Sequence, residues 1–244
     1  MTKSIGPSYD RCFLHLPNIA RMHMNGKHTA RLPFDPSARL PAAILIAAAA
    51  AGWLASSAAV WIAAVVLLAI LAFFCRDPER KAIARPGAIL SPADGRIIEV
   101  LESASPSLGP TKGPCISIFL SIFDVHVNRA PCAGVVDAVL YRPGGHHDAR
   151  RPDSTTNESN WILLRCGGDR MTVRQIAGRF ARRVICRAPK GSVVDRGARL
   201  GFIRLGSRVE LYLPAGSTVV VRPGQHVRGG LSIVAYLPER GMPS

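Results

Sequence analysis

No two cysteines in this chain form a C-x-x-C pair, and no histidines and cysteines cluster at metal-ligand spacing. The six cysteines, Cys12, Cys75, Cys115, Cys132, Cys166 and Cys186, are scattered, so they signal neither a zinc site nor a disulfide framework and read as reduced thiols in a cytosolic setting. Aromatic residues are scarce at 6%, and no recognition helix is evident. The chain therefore lacks the basic and aromatic interleaving that nucleic-acid binding calls for, and no nucleic acid is expected as a partner. Acidic side chains are also in short supply: 16 against 31 lysines and arginines, a formal net charge of +15 and a pI near 10.6. Such a balance demands an anionic partner.

Charge is missing altogether between residues 41 and 75, PAAILIAAAAAGWLASSAAVWIAAVVLLAILAFFC. A single membrane-spanning helix needs about 20 apolar residues, so this run is long for one span and short for two. Gly52, Ser56 and Ser57 lie near its middle, where a hairpin can turn. Basic residues flank both ends: Lys3, Arg11, Arg21, Lys27, Arg31 and Arg39 before it, and Arg76, Arg80, Lys81 and Arg85 after it. Positive flanks stay on the cytoplasmic side. The expectation is a helical hairpin that enters and leaves on the cytoplasmic face of the cell membrane, with one tilted span as the competing arrangement. The run starts too far from the N-terminus, and is too long, for a cleavable signal peptide.

Residues 1–40 form a basic N-terminal arm without a clear period, whose His15, His23 and His28 fit no metal motif. Three prolines between residues 75 and 95 argue for an extended linker rather than a continued helix. Beyond it the pattern is β: GRIIEVLE, CISIFLSIF, GVVDAVLYR, NWILLRC, RMTVRQIAG, RVELYL, STVVVR and LSIVAYL are short apolar or alternating runs rich in Ile, Val and Leu. One short basic helix is expected near residues 177–186. Glycine, proline and aspartate punctuate the runs, which implies a mainly β, barrel- or sandwich-like domain over residues 76–244, preceded by the hydrophobic hairpin of residues 41–75.

Four stretches of that domain could carry chemistry. SPADGRI places Asp94 before Gly95; alone it is an ordinary turn. FDVHVNRAP sets His126 within a strand-like run, and histidine is the side chain best suited to moving protons near neutral pH. TTNESNW is a polar cluster ahead of a strand. In IRLGSRVELYLP, Gly206 and Ser207 interrupt a strand, where glycine normally costs stability. A serine after a glycine in a strained turn can attack the carbonyl of its own preceding peptide bond when a base takes the hydroxyl proton.

Taken in order, FFCRDPER, SPADG, FDVHVNRAP, NESN, IAG, LGS and PGQHVRGG resemble the phosphatidylserine decarboxylase family, in its short bacterial and archaeal-type branch. The resemblance covers roughly residues 75–239 and the apolar segment before them. It implies a proenzyme cut between Gly206 and Ser207 into a β chain of residues 1–206 and an α chain of residues 207–244 that stay together as a heterodimer. Ser207 would become an N-terminal pyruvoyl group, so no external cofactor and no metal are implied. That group serves as an electron sink for decarboxylating phosphatidylserine to phosphatidylethanolamine. Asp94 matches the aspartate placed with the serine in self-cleavage, and His126 matches a candidate proton donor. Longer members carry a second histidine three residues after His126, where this chain has Arg129, a poor base; either His126 does double duty or Asp94 and local strain suffice. A phospholipid substrate and an anionic membrane suit the apolar run and the +15 charge, since near-surface basic residues each contribute about 1 kcal/mol.

Two other readings fit parts of the pattern. One is a decarboxylase of another serine-headgroup lipid, such as an archaetidylserine. The other is a non-catalytic, membrane-anchored β module, a carrier or adaptor of the lipoyl or biotinyl kind, for which Lys190 is the best attachment point on offer.

Overall fold

The computed structural model describes residues 38–82, 85–109, 112–179, 184–203 and 206–238. The basic arm up to residue 37, with His15, His23 and His28, lies outside them, as do Arg204 and Leu205 of the Leu-Gly-Ser motif.

The uncharged run folds as two helices, α1 (Arg39–Leu54) and α2 (Ala58–Phe74). They turn back on each other at Ala55 to Ser57, with Ser57 N–H donating to the Gly52 carbonyl at 2.9 Å. Gly52 is needed there because a Cβ would lie 2.8 Å from the Trp61 nitrogen. This is the hairpin expected from the small residues in mid-run, and the competing single span is not formed. At 1.5 Å per residue the legs are about 24 and 26 Å long, short of the roughly 30 Å hydrocarbon core. Among the described residues no helix is long and apolar enough to cross a membrane. Ile44, Trp53, Leu54, Val60, Ile62 and Val66 nonetheless lie exposed on the pair.

The rest is β, as the alternating runs imply. An eight-stranded antiparallel sheet has the order β13-β2-β3-β11-β7-β6-β5-β9. Its members are β2 (Gly95–Ala104), β3 (Gly113–Leu120), β5 (Gly134–Arg142), β6 (Ser159–Cys166), β7 (Asp169–Ile176), β9 (Val193–Val194), β11 (Ser207–Tyr212) and β13 (His226–Val227). Register shifts in β2 and β5 accompany its curl into a half-barrel. Two three-stranded sheets complete the domain: β1 (Ala88–Leu90) with β14 (Ile233–Tyr236) and β12 (Thr218–Val219), and β4 (Val127–Arg129) with β10 (Arg199–Ile203) and β8 (Val184–Cys186). One face of the large sheet packs the main core, with Ile116, Ile118, Leu120, Val209, Leu211 and Val173 fully buried.

The opposite face carries a buried polar network beside a smaller apolar cluster of Cys115, Trp161 and Tyr212. Arg208 donates to Ser117 Oγ at 2.8 Å and pairs with Glu210 at 2.9 Å; Glu210 also accepts from Arg174 and from the Tyr212 hydroxyl. Burial, reinforced by the Glu210 charge, pushes the Tyr212 phenol well up.

Two expectations need correcting. Cys132 and Cys166 are joined as a disulfide. Their separation of 34 residues has no recognisable spacing, yet Val135 pairs with Arg165 across β5 and β6, which brings the two cysteines side by side. The short basic helix is not formed where the chain is described: Val184–Cys186 is a strand paired to β10. Its apolar residues pack against the neighbouring sheet instead of lining a helix face.

Candidate active site

The site assembles around the C-terminal end of β3. Ser207, the first residue of β11, pairs with Leu120, the last of β3. Phe119 pairs on its other side with Arg96, so Gly95 and Asp94 reach the same end of β3 from the opposite flank. With neighbouring strands about 4.8 Å apart, the β2 and β11 backbones lie about 10 Å apart across β3. After β3 the chain turns through residues 121–125 and reaches His126, whose carbonyl accepts a hydrogen bond from Ile203 N–H at 3.2 Å. Ile203 lies three residues before Gly206. Arg129 N–H bonds the Pro92 carbonyl at 2.8 Å, tying the His126 segment to the Asp94 segment. Three stretches distant in sequence therefore meet at one place because antiparallel pairing puts them there.

Gly206 has φ of +63°, the left-handed region that favours glycine. Its carbonyl oxygen rests against Gly178 so closely that a Cβ on Gly178 would lie 1.6 Å from it. Gly178 belongs to the IAG motif and is held by NESN: Ala177 N–H bonds the Glu158 carbonyl at 2.9 Å, and Asn157 Nδ2 bonds the Ala177 carbonyl at 2.7 Å. The polar cluster of residues 155–161 thus shapes the surface that receives the Gly206 carbonyl. Ser207 itself is fully buried, and its hydroxyl has no hydrogen-bond partner among the described residues.

His126 is buried at 1% exposure, and neither ring nitrogen has a hydrogen-bond partner of ordinary geometry among the described residues. Its ring lies 6.1 Å from that of Phe202. Desolvation pulls its pKa down from 6.5 to about 4, against the upward pull of Asp124 and, more weakly, Asp94. The imidazole is therefore neutral at physiological pH and able to accept a proton.

Asp94 is engaged elsewhere. Its Oδ2 accepts from Arg80 at 2.8 Å, and its Oδ1 accepts from Arg80 at 2.5 Å and from Gly229 N–H at 2.7 Å. The carboxylate touches neither His126 nor Ser207 through a hydrogen bond. Arg80 comes from the proline-rich linker and Gly229 from PGQHVRGG, so that motif's place is to hold Asp94. Arg129 points away from any proton-transfer position: its guanidinium donates to Asp77 at 2.8 Å, to the Pro78 carbonyl at 2.7 Å and to the Gly197 carbonyl at 3.1 Å. Arg199 also binds Asp77.

Sequence reasoning passed over Arg80, Asp77 and Asp124 as members of this constellation. Asp124 accepts from Ser121 N–H at 2.8 Å and from Ser121 Oγ at 2.7 Å, and it lies 3.1 Å from His226 Nε2. These partners lie between 14 and 122 residues away or look like ordinary turn residues, so spacing alone carries no signal for them. Among the described residues no cluster of His, Cys, Asp and Glu could hold a metal ion.

Residues 67–235 match the family described as phosphatidylserine decarboxylase. The chain is 42% identical over 182 residues to the phosphatidylserine decarboxylase proenzyme of Nitratidesulfovibrio vulgaris, covering 72% of this chain and 83% of that one. It is 39% identical over 229 residues to the protein of the same name from Nocardia farcinica, covering 91% and 92%. With the one from Granulibacter bethesdensis it shares 44% over 170 residues, covering 68% and 70%.

Proposed function

The chain belongs to the phosphatidylserine decarboxylase family, and from that premise we propose that it cuts itself between Gly206 and Ser207 and works at a membrane surface. It is a pyruvoyl-dependent carboxy-lyase made as a proenzyme, and it converts phosphatidylserine to phosphatidylethanolamine. The observation that carries the choice of bond is a buried serine hydroxyl without a partner among the described residues, directly after a glycine in the left-handed conformation whose carbonyl is seated on Gly178.

Neutral His126 is the base for the first step. It takes the Ser207 hydroxyl proton while Oγ attacks the Gly206 carbonyl carbon; the peptide C–N bond breaks and an ester forms, the nitrogen leaving as an amine. Removal of the Ser207 α proton then expels the Gly206 carboxylate by β-elimination, and hydration with loss of ammonia leaves a ketone at the new N-terminus. Once formed at Ser207, a pyruvoyl group would supply an electron-poor carbonyl, the electron sink that decarboxylation needs. In this reading His126 also returns a proton to the α carbon. Asp124, and more weakly Asp94 clamped by Arg80 and the Gly229 N–H, contribute fixed negative charge that favours the imidazolium formed in each transfer. Arg129, locked onto Asp77, acts as a strut, so a second histidine is not required at its position.

The substrate supports placing the apolar hairpin at the cytoplasmic face of the cell membrane, its exposed side chains in the lipid and its legs too short to cross. The headgroup chemistry is the same for any serine-headed lipid, and the curated relatives are named for phosphatidylserine. Family membership removes the carrier-module alternative. The test is an intact mass under denaturing conditions for the wild type and Ser207→Ala. Two chains parting after Gly206, the smaller with a blocked N-terminus, support the assignment; a single uncut wild-type chain overturns it.

A further inference from the structure

The turn that follows β3 is built unlike an ordinary turn. Ser121 and Asp124 close it through three hydrogen bonds, with Asp124 N–H donating to the Ser121 carbonyl at 3.1 Å and both Ser121 donors binding the Asp124 carboxylate. His226 abuts that carboxylate from β13 at 3.1 Å. A turn so tied would be expected to carry polar residues at its tip. Its tip is Ile122 and Phe123, 39% and 67% exposed.

Arg76 connects this tip to the hairpin. One guanidinium nitrogen donates to the Phe73 carbonyl at 2.7 Å, the other to the Phe123 carbonyl, and the group lies 4.1 Å over the Phe73 ring. The tip and the exposed C-terminal end of α2 are thereby held next to each other. Exposed Arg96, Arg222 and Arg228 sit on and around the two-residue strand β13 beside the turn. Apolar side chains at a fixed tip, cations around it and an apolar hairpin alongside form the pattern of an interfacial lipid contact.

We propose that the 121–124 turn is a second membrane contact, Ile122 and Phe123 entering the acyl region of an anionic bilayer beside the hairpin. The proposal rests on the lipid-decarboxylating reading given above. It fixes orientation as well as attachment: β3 ends at Leu120, opposite Ser207, and His126 lies two residues beyond the turn. A bilayer gripped at both places holds the lipid headgroups over that end of β3.

The full-length protein is compared with the double variant Ile122→Ser/Phe123→Ser on two substrates: phosphatidylserine in phosphatidylcholine vesicles, and short-chain phosphatidylserine dissolved as monomers. The ratio of vesicle to monomer turnover is expected to fall about tenfold, the loss from one buried aromatic side chain. In the unsubstituted chain, amide hydrogen exchange across residues 119–126 is expected to slow when vesicles are added. An unchanged ratio, or exchange indifferent to vesicles, overturns the proposal. If the wild type is never cut, or turns over neither substrate, the enzymatic reading fails; the exchange measurement on Ser207→Ala still decides the membrane contact.

Discussion

His126 rests neutral because the fold keeps water from it. Its pKa is about 4 in the folded chain and 6.5 when unfolded. Below pH 6.5 the unfolded chain therefore binds a proton that the native chain refuses. The neutral ring's contribution is complete above pH 6.5 and is lost as pH falls towards 4, a difference of about 3 kcal/mol across the window. Denaturant unfolding of the wild type and His126→Asn at pH 7 and pH 4.5 should show that difference as a steeper acid loss in the wild type; equal losses would mean the ring is solvated. At this scale Gly206 and Ser207 draw attention in the sequence as a break in a strand-like run and His126 as a histidine within one, whereas Asp94 reads alone as an ordinary turn and is singled out by the family resemblance. Arg80 was legible only as a basic flank of the apolar run and as the end of FFCRDPER, with no role attached to it. Nothing in its neighbourhood says that its guanidinium closes on a carboxylate 14 positions away, since that contact depends on how the linker lies over the domain.

The linker after α2 behaves as a structural element without regular secondary structure. Asp77 accepts from Arg129 and Arg199, and Arg80 grips Asp94, so the extended segment expected from its prolines is pinned to β4, β10 and the turn before β2. Removing one partner of a buried ion pair strands the other charge, at a cost of about 3 to 5 kcal/mol. Asp77→Ala should lose that much in denaturant unfolding, while Asp137→Ala, whose partners Arg165 and Arg170 are about half exposed or more, should lose under 1 kcal/mol. Strands such as β7 and β11 were read well from alternation because apolar side chains fill one face and mostly polar ones the other, although both faces are buried. The expected strand over residues 115–123 runs on past its true end at Leu120, since Ile122 and Phe123 continue the apolar pattern into a turn. The pairing of Cys132 with Cys166 was invisible for a related reason: it follows from the β5–β6 register, which spacing does not encode.

On the scale of the whole molecule, the proposed cut divides the chain without dividing the structure. Residues 207–238 supply β11, hydrogen-bonded on both sides by β3 and β7, and also β12, β13 and β14 in two different sheets. Val209, Leu211, Leu213, Val227 and Val234 from this piece are buried in the main core. The processed protein should elute from a native sizing column at the position of the uncut Ser207→Ala chain while showing two chains under denaturing conditions. Separation of the small chain without denaturant would contradict the shared core. The net charge of +15 and the uncharged run read as a membrane preference from composition alone, in keeping with a family that acts on a membrane lipid, while the short reach of each leg became visible only when the turn at Ala55 to Ser57 set their lengths.

A prosthetic group made from a residue at the head of a central strand is never in exchange with a cellular pool. Each molecule acquires its group once and cannot be reloaded if the carbonyl is reduced or trapped. Vitamin supply does not bear on such an enzyme, and no apo form waits to be rescued. Capacity to make this lipid is therefore renewed only by translation of new chains, and the age of the protein population sets how much damage it carries.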